Sequence, residues 1–150
     1  MSCLQINAST DYAIRLLLCL AKASKPMPSS KLAAAISVSS RYLLQIGARL
    51  RDADLICVTH GPAGGFSLNR PPGQINLYDV IHKMERQTHR EKNERDGQFQ
   101  ILHTAYAYVE AVIVDILKSI TIESLLSQSI EKWYLAPYLI EKTRKAFADE

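Results

Sequence analysis

The chain has 150 residues, 47% of them hydrophobic, which suits one domain, or one domain with an appendage, around a real core. Its net charge of +3 is unevenly placed: residues 1–72 hold eight Lys/Arg against three Asp/Glu, a net +5, and residues 73–150 hold ten against twelve, a net −2. Three distant cysteines, Cys3, Cys19 and Cys57, argue against a disulfide framework, and no leader-like start or uninterrupted apolar run of about 18 residues is present, so a cytoplasmic protein without a membrane partner is expected.

The apolar spacing of Ala13, Ile14, Leu17, Leu18 and Ala21 predicts a first helix over about 11–23, capped by Ser9 or Thr10. Cys19 and Leu20 widen its stripe, so it is buried on more than one side. The connector KPMPSS follows, with Pro26 and Pro28 as helix stops and Ser29 or Ser30 as the next cap. A short second helix covers about 31–36, and Ser37-Val38 makes a tight turn. Ser39 or Ser40 caps a third helix over about 41–52, which turns Leu43, Ile46 and Leu50 inward. Two short helices joined by a tight turn behind a supporting helix form the helix-turn-helix pattern.

Leu55 to Thr59 and Phe66 to Leu68 alternate as strands. Between them stands HGPAGG, with three glycines in five positions, Gly61, Gly64 and Gly65. The glycines let the chain reverse through positive φ and leave backbone N–H groups bare at the tip. A plain surface hairpin needs fewer, so the hairpin reads as a wing beside the helix-turn-helix, with His60 and Arg70 at its base.

Ile75 to Glu85 is a helix on which this domain ends. Residues 86–98, RQTHREKNERDGQ, carry no aliphatic or aromatic side chain and read as a charged mobile loop. From Phe99 to Ile120 two series repeat every seven residues, Leu102, Val109, Ile116 and Tyr106, Ile113, Ile120. A helix this apolar needs more than one neighbour, most simply a second copy of itself in an antiparallel or crossing dimer. A short helix follows over 122–129, so 99–130 forms the dimerisation unit. The tail, 131–150, clusters Trp133, Tyr134, Leu135, Tyr138, Leu139 and Ile140 around Pro137; it suits packing on a partner subunit before a lid over a ligand.

Several of these residues together resemble a known family. Tyr12-Ala13-Ile14-Arg15, Ser39, Tyr42-Leu43, Gln45, Leu50-Arg51 and Gly61-Pro62-x-Gly64-Gly65-Phe66-x-Leu68 stand in its order. Arg70-Pro71-Pro72, Ile75-Asn76-Leu77 and Asp79-Val80-Ile81 continue the match. The set resembles the winged-helix transcription regulators of the IscR, NsrR, RirA and CymR type, densely over 9–83 and loosely over 99–126.

The resemblance implies a mainly α fold: a winged helix-turn-helix DNA-binding domain over 1–85, with a two-stranded wing, and a long dimerisation helix. It implies a homodimer on double-stranded DNA with a palindromic operator, helix three in the major groove and the wing on the adjacent minor groove or backbone. A repressor is expected. Arg41 and Gln45 are the base-reading candidates, because their planar side chains suit bidentate contacts. Ser39, Ser40, Arg49 and the wing glycines would position phosphates. Leu102, Tyr106, Val109, Ile113, Ile116 and Ile120 would form the dimer interface. Two positions depart from the family. Asp54 replaces a glycine that ends helix three, and aspartate tolerates the left-handed conformation. Leu44 replaces a frequent groove-reading glutamate, so that contact is absent or apolar here.

Cluster-binding relatives carry three cysteines before the dimer helix, whereas residues 69–150 of this chain contain none. Gln100 stands where the last of the three would fall, and His103 matches a histidine ligand of IscR-like proteins. One histidine without thiolates does not hold an ordinary iron–sulfur cluster, so no cofactor is expected. No phosphate loop, nucleophile elbow or paired histidine spacing points to an enzyme. Regulation would then come through an unidentified small molecule held by loop, dimer helix and tail, or through oxidation of Cys57, for which an inert thiol is the plainer reading. The rival class is a winged-helix protein-interaction, small-molecule or thiol-sensing module with weak or no specific DNA binding.

Overall fold

A computed structural model of the chain describes residues 6–23, 25–85 and 100–127. The charged stretch 86–98, the tail 131–150, Cys3 and Phe99 lie outside the described residues.

The first three helices are α1 (Ala8–Lys22), α2 (Ser29–Ala35) and α3 (Ser40–Asp52). The cap of α1 differs from the sequence expectation. Asn7, not Ser9 or Thr10, is the N-cap, and its carboxamide oxygen accepts from Thr10 N–H at 2.9 Å. Capping there lets Thr10 go inside, where it is fully buried and its hydroxyl bonds Asn7 and Glu85. Likewise α2 begins after Pro28 with no side-chain cap, so neither Ser29 nor Ser30 caps it. Ser39 does cap α3, its hydroxyl accepting from Tyr42 N–H at 3.2 Å.

Both α2 and α3 end in the same way. After α2, Val38 N–H reaches Ala33 C=O at 3.0 Å and Ser37 N–H reaches Ala34 C=O at 3.2 Å, with Ser37 at φ +57°. After α3, Leu55 N–H reaches Leu50 C=O at 3.0 Å and Asp54 N–H reaches Arg51 C=O at 2.9 Å, with Asp54 at φ +60°. These are Schellman closures with a left-handed residue that is glycine in most proteins. The exposed Ser37 gains nothing visible for that conformation. Ser37→Gly should therefore raise stability by about 1 kcal/mol, read as an upward shift of the thermal midpoint. Asp54→Gly should gain less, because Asp54 also accepts from Asn69 Nδ2 at 2.6 Å and pairs with Arg70 at 3.3 Å.

The wing consists of β1 (Ile56–Thr59) and β2 (Gly65–Leu68), antiparallel, with Ile56 opposite Leu68 and Thr59 opposite Gly65. A third short segment joins it. Met27 exchanges both backbone hydrogen bonds with Phe66 at 2.9 Å, so the proline-flanked connector is also an edge of the wing. Phe66 is buried against Gly47 of α3, where any Cβ would stand 2.9 Å from its ring. The core gathers Leu16, Leu17 and Leu20 of α1, Leu32 and Ile36, Leu43, Ile46 and Leu50 of α3, and Leu55, Ile56 and Phe66 of the wing.

A short 3-10 turn (Pro72–Gln74) leads into α4 (Leu77–Met84), capped by Asn76. Val80 and Met84 of α4 complete the core. The long helix α5 (Gln100–Ser119) is followed by α6 (Ile122–Ser127), which packs back on α1. The end of α5 is pinned: Leu77 N–H bonds Ile120 C=O at 2.8 Å and Ile122 N–H bonds Ile75 C=O at 2.9 Å. None of the α5 side chains is fully buried. By length and composition alone α5 is apolar enough to cross a membrane, although its polar residues interrupt every long apolar run.

Candidate nucleic-acid interface

At 3.6 residues per turn, Leu43, Ile46, Gly47 and Leu50 fix the buried side of α3. The opposite side then carries Arg41, Leu44, Gln45 and Ala48 in its first three turns; Arg41, Leu44 and Gln45 are exposed. Among the described residues Arg41 forms no ion pair. The guanidinium and carboxamide are thus available to another molecule. Ser40, exposed at the first helical position, stands beside them, while the Ser39 hydroxyl is engaged in the cap. Lys31, exposed on α2, adds a cation that sequence reasoning passed over.

Arg49 lies elsewhere. It is half-buried on the flank of α3, where Nη1 donates to Ser9 Oγ at 3.3 Å and Nη2 donates to the Met84 carbonyl. Glu85 completes this knot by accepting from Asn7 N–H at 3.1 Å. The cluster ties α1, α3 and α4 together and occupies the donors expected to meet phosphate. Arg70 is also engaged, through its pairing with Asp54 at the root of the wing.

The wing glycines divide by role. Gly61 is exposed at the tip with φ +110° and open space around it, and Gly64 N–H closes the turn onto Gly61 C=O at 3.0 Å. A Cβ on Gly64 would overlap the Thr59 carbonyl, and one on Gly65, at φ +153°, would overlap the Met27 carbonyl. Gly64 and Gly65 are therefore required by the hairpin itself. His60, Gly61, Pro62 and Ala63 form the exposed tip.

A second feature lies between α4 and α5. Tyr78, Ile81 and His82 face Tyr106, Val109, Ile113 and Leu117 across an open groove of about 420 Å³. Tyr78 stacks on His82 with ring centroids 5.3 Å apart, and Lys118 Nζ sits 5.2 Å from the Tyr78 ring. Of the residues expected to meet a second copy, Leu102, Tyr106, Val109 and Ile113 are exposed, whereas Ile116 and Ile120 are half-buried. The loop and tail expected to enclose an effector here lie outside the described residues.

Potential metal donors are scattered. Cys19 is on α1, Cys57 is on β1 with its sulfur 3.0 Å from Ser67 Oγ, and His103 is exposed on α5. Among the described residues no three His, Cys, Asp or Glu side chains gather as a metal site. With no cysteine in 69–150 either, the residues present do not fit a thiolate-held iron–sulfur cluster.

The model of the Rrf2 family, described as an iron-dependent transcriptional regulator, matches residues 6–128. The HTH-type transcriptional regulator IscR of Vibrio vulnificus strain YJ016 is 26% identical over 133 residues, covering 84% of this chain and 79% of its own. The structure of CymR, the global cysteine regulator of B. subtilis, is 26% identical with a TM-score of 0.64, covering 83% of this chain and 98% of that one. IscR of T. potens is 25% identical with a TM-score of 0.69, covering 92% and 97%.

Proposed function

The chain belongs to the Rrf2 family of winged-helix transcriptional regulators, and on that premise we propose that it represses transcription as a cytoplasmic homodimer bound to a two-fold symmetric operator. The observation that carries the reading is the solvent-facing Arg41 and Gln45 on the first turns of α3, unengaged among the described residues, together with an exposed wing tip. Guanidinium and carboxamide are the two side-chain groups that read guanine and adenine edges bidentately in the major groove. Two copies joined through α5 would present two such faces to half-sites one helical turn, or a multiple, apart. In this reading the apolar length of α5 serves a partner helix.

The test is binding of the full chain to duplex selected from a random library, followed by substitution. Arg41→Ala and Gln45→Ala should each weaken the selected site by about 1–3 kcal/mol, roughly 5- to 150-fold, with little change in thermal stability. Arg49→Ala should do the reverse first, lowering the thermal midpoint by breaking the knot of Ser9, Met84 and α3. Equal affinity for selected and random duplex at physiological salt would overturn the DNA reading.

We infer also that this member carries no iron–sulfur cluster, on the strength of its donor set. Anaerobically purified protein should be colourless, with negligible iron and sulfide by elemental assay. A brown preparation with stoichiometric iron would refute the inference.

A further inference from the structure

We propose that Leu44 reads the 5-methyl group of a thymine in the major groove and so sets one base of the operator half-site. The inference rests on the DNA-binding reading above and names what that face recognises. Leu44 is 52% exposed, and outside α5 it is the most exposed large hydrophobic side chain among the described residues. It stands on the same face of α3 as Arg41, three residues before it, and beside Gln45. Among the described residues no element covers it.

The surroundings decide what could. A leucine that docks on protein usually belongs to an apolar patch. Here the exposed neighbours on the helix are Ser40, Arg41 and Gln45, all hydrogen-bond donors, and the apolar group one turn on is the half-buried Ala48. A single branched alkyl group ringed by donors matches a base-pair edge better than a protein surface. Thymine alone among the four bases offers an apolar group in the major groove, its C5-methyl, beside hydrogen-bonding atoms that Arg41 and Gln45 could use on adjacent pairs.

The probe is a duplex selected by the full chain from a random-sequence library. Each thymine of that duplex is replaced singly by deoxyuridine, which deletes the methyl and keeps the pairing. Wild type and Leu44→Ala are then titrated against every duplex, a double-mutant cycle that cancels effects of the base change on DNA shape. At one thymine per half-site, loss of the methyl should weaken wild type by about fourfold, the worth of one buried methyl, and leave Leu44→Ala unchanged. The exposed position makes a fold defect in Leu44→Ala detectable as a thermal shift, and none is expected. A selected site at which no thymine-to-uracil step separates the two proteins overturns the inference while leaving the DNA reading intact. So does a Leu44→Ala protein that loses self-association rather than base preference, since Leu44 would then be a protein contact. A library that yields no preferred sequence overturns both readings.

Discussion

Gly64→Ala and Gly65→Ala should each destabilise the protein by about 3 kcal/mol, the upper end of the usual cost of overpacking. The reason is backbone, not side-chain, crowding. A methyl on Gly64 would enter the Thr59 carbonyl and stand 2.9 Å from the His60 carbonyl carbon, and neither can swing away as a side-chain tip could. A methyl on Gly65 would enter the Met27 carbonyl and would hold an L-residue at φ +153°, which only glycine adopts freely. Relief would require breaking the Met27–Phe66 bridge, and Phe66 is the buried residue that fixes the wing to Gly47 of α3. Gly61→Ala is the internal comparison. It carries strain from φ +110° but meets no atom within 4 Å, so about 1 kcal/mol is expected. At about 2–4 °C per kcal/mol for a chain of this length, thermal melts should place Gly64→Ala and Gly65→Ala roughly 4–8 °C below Gly61→Ala. Equal melting of all three variants would mean that the hairpin does not sit on Met27.

That division among glycines marks where sequence reasoning stops. The repeated glycines announced a tight reversal, and the hairpin is there between β1 and β2. The claim that all three free the tip for another surface did not distinguish local from long-range demands. Gly65 is required by a carbonyl 38 positions earlier in the chain, in a connector that looked like a linker because Pro26 and Pro28 bracket it. Period and capping are local, so the inward stripe of Leu43, Ile46 and Leu50 was legible, as was a cap of α3 at Ser39 or Ser40, of which the structure uses Ser39. The left-handed Asp54 was legible only through the resemblance, in which a glycine ends this helix, and Asp54 does stand at φ +60°. Arg49 was not. Its charge and its place near the recognition face suggested phosphate, but its partners, Ser9 and the Met84 carbonyl, come from α1 and α4 and are gathered only by tertiary packing. Asn7 as the cap of α1 was missed because Ser9 and Thr10 are equally good capping types; the burial of Thr10 decides it.

The largest expected effect belongs to α5. Val109→Glu or Ile113→Glu should convert the proposed dimer to a monomer of 16.8 kDa by sedimentation, where wild type should show twice that mass. Leu102, Tyr106, Val109 and Ile113 form one stripe at spacings of four, three and four residues, and all are exposed in a single chain. Val109 is 53% exposed and Ile113 40%, so a side chain at either position reaches solvent in a single chain. A glutamate there is tolerated by the monomer, which can solvate it. Across a two-fold interface the same substitution buries an unpaired charge from each copy, at several kcal/mol apiece. Dimer loss should therefore come with nearly unchanged melting of the DNA-binding domain, a combination that a folding defect does not produce. Affinity for the selected two-half-site duplex should fall by roughly 100-fold or more, because each half-site must then be found separately. A single half-site duplex should bind wild type and variant much more nearly alike. If either variant remains a dimer with full operator affinity, the α5 stripe faces something other than a second copy, and the groove between α4 and α5 becomes the place to look for it.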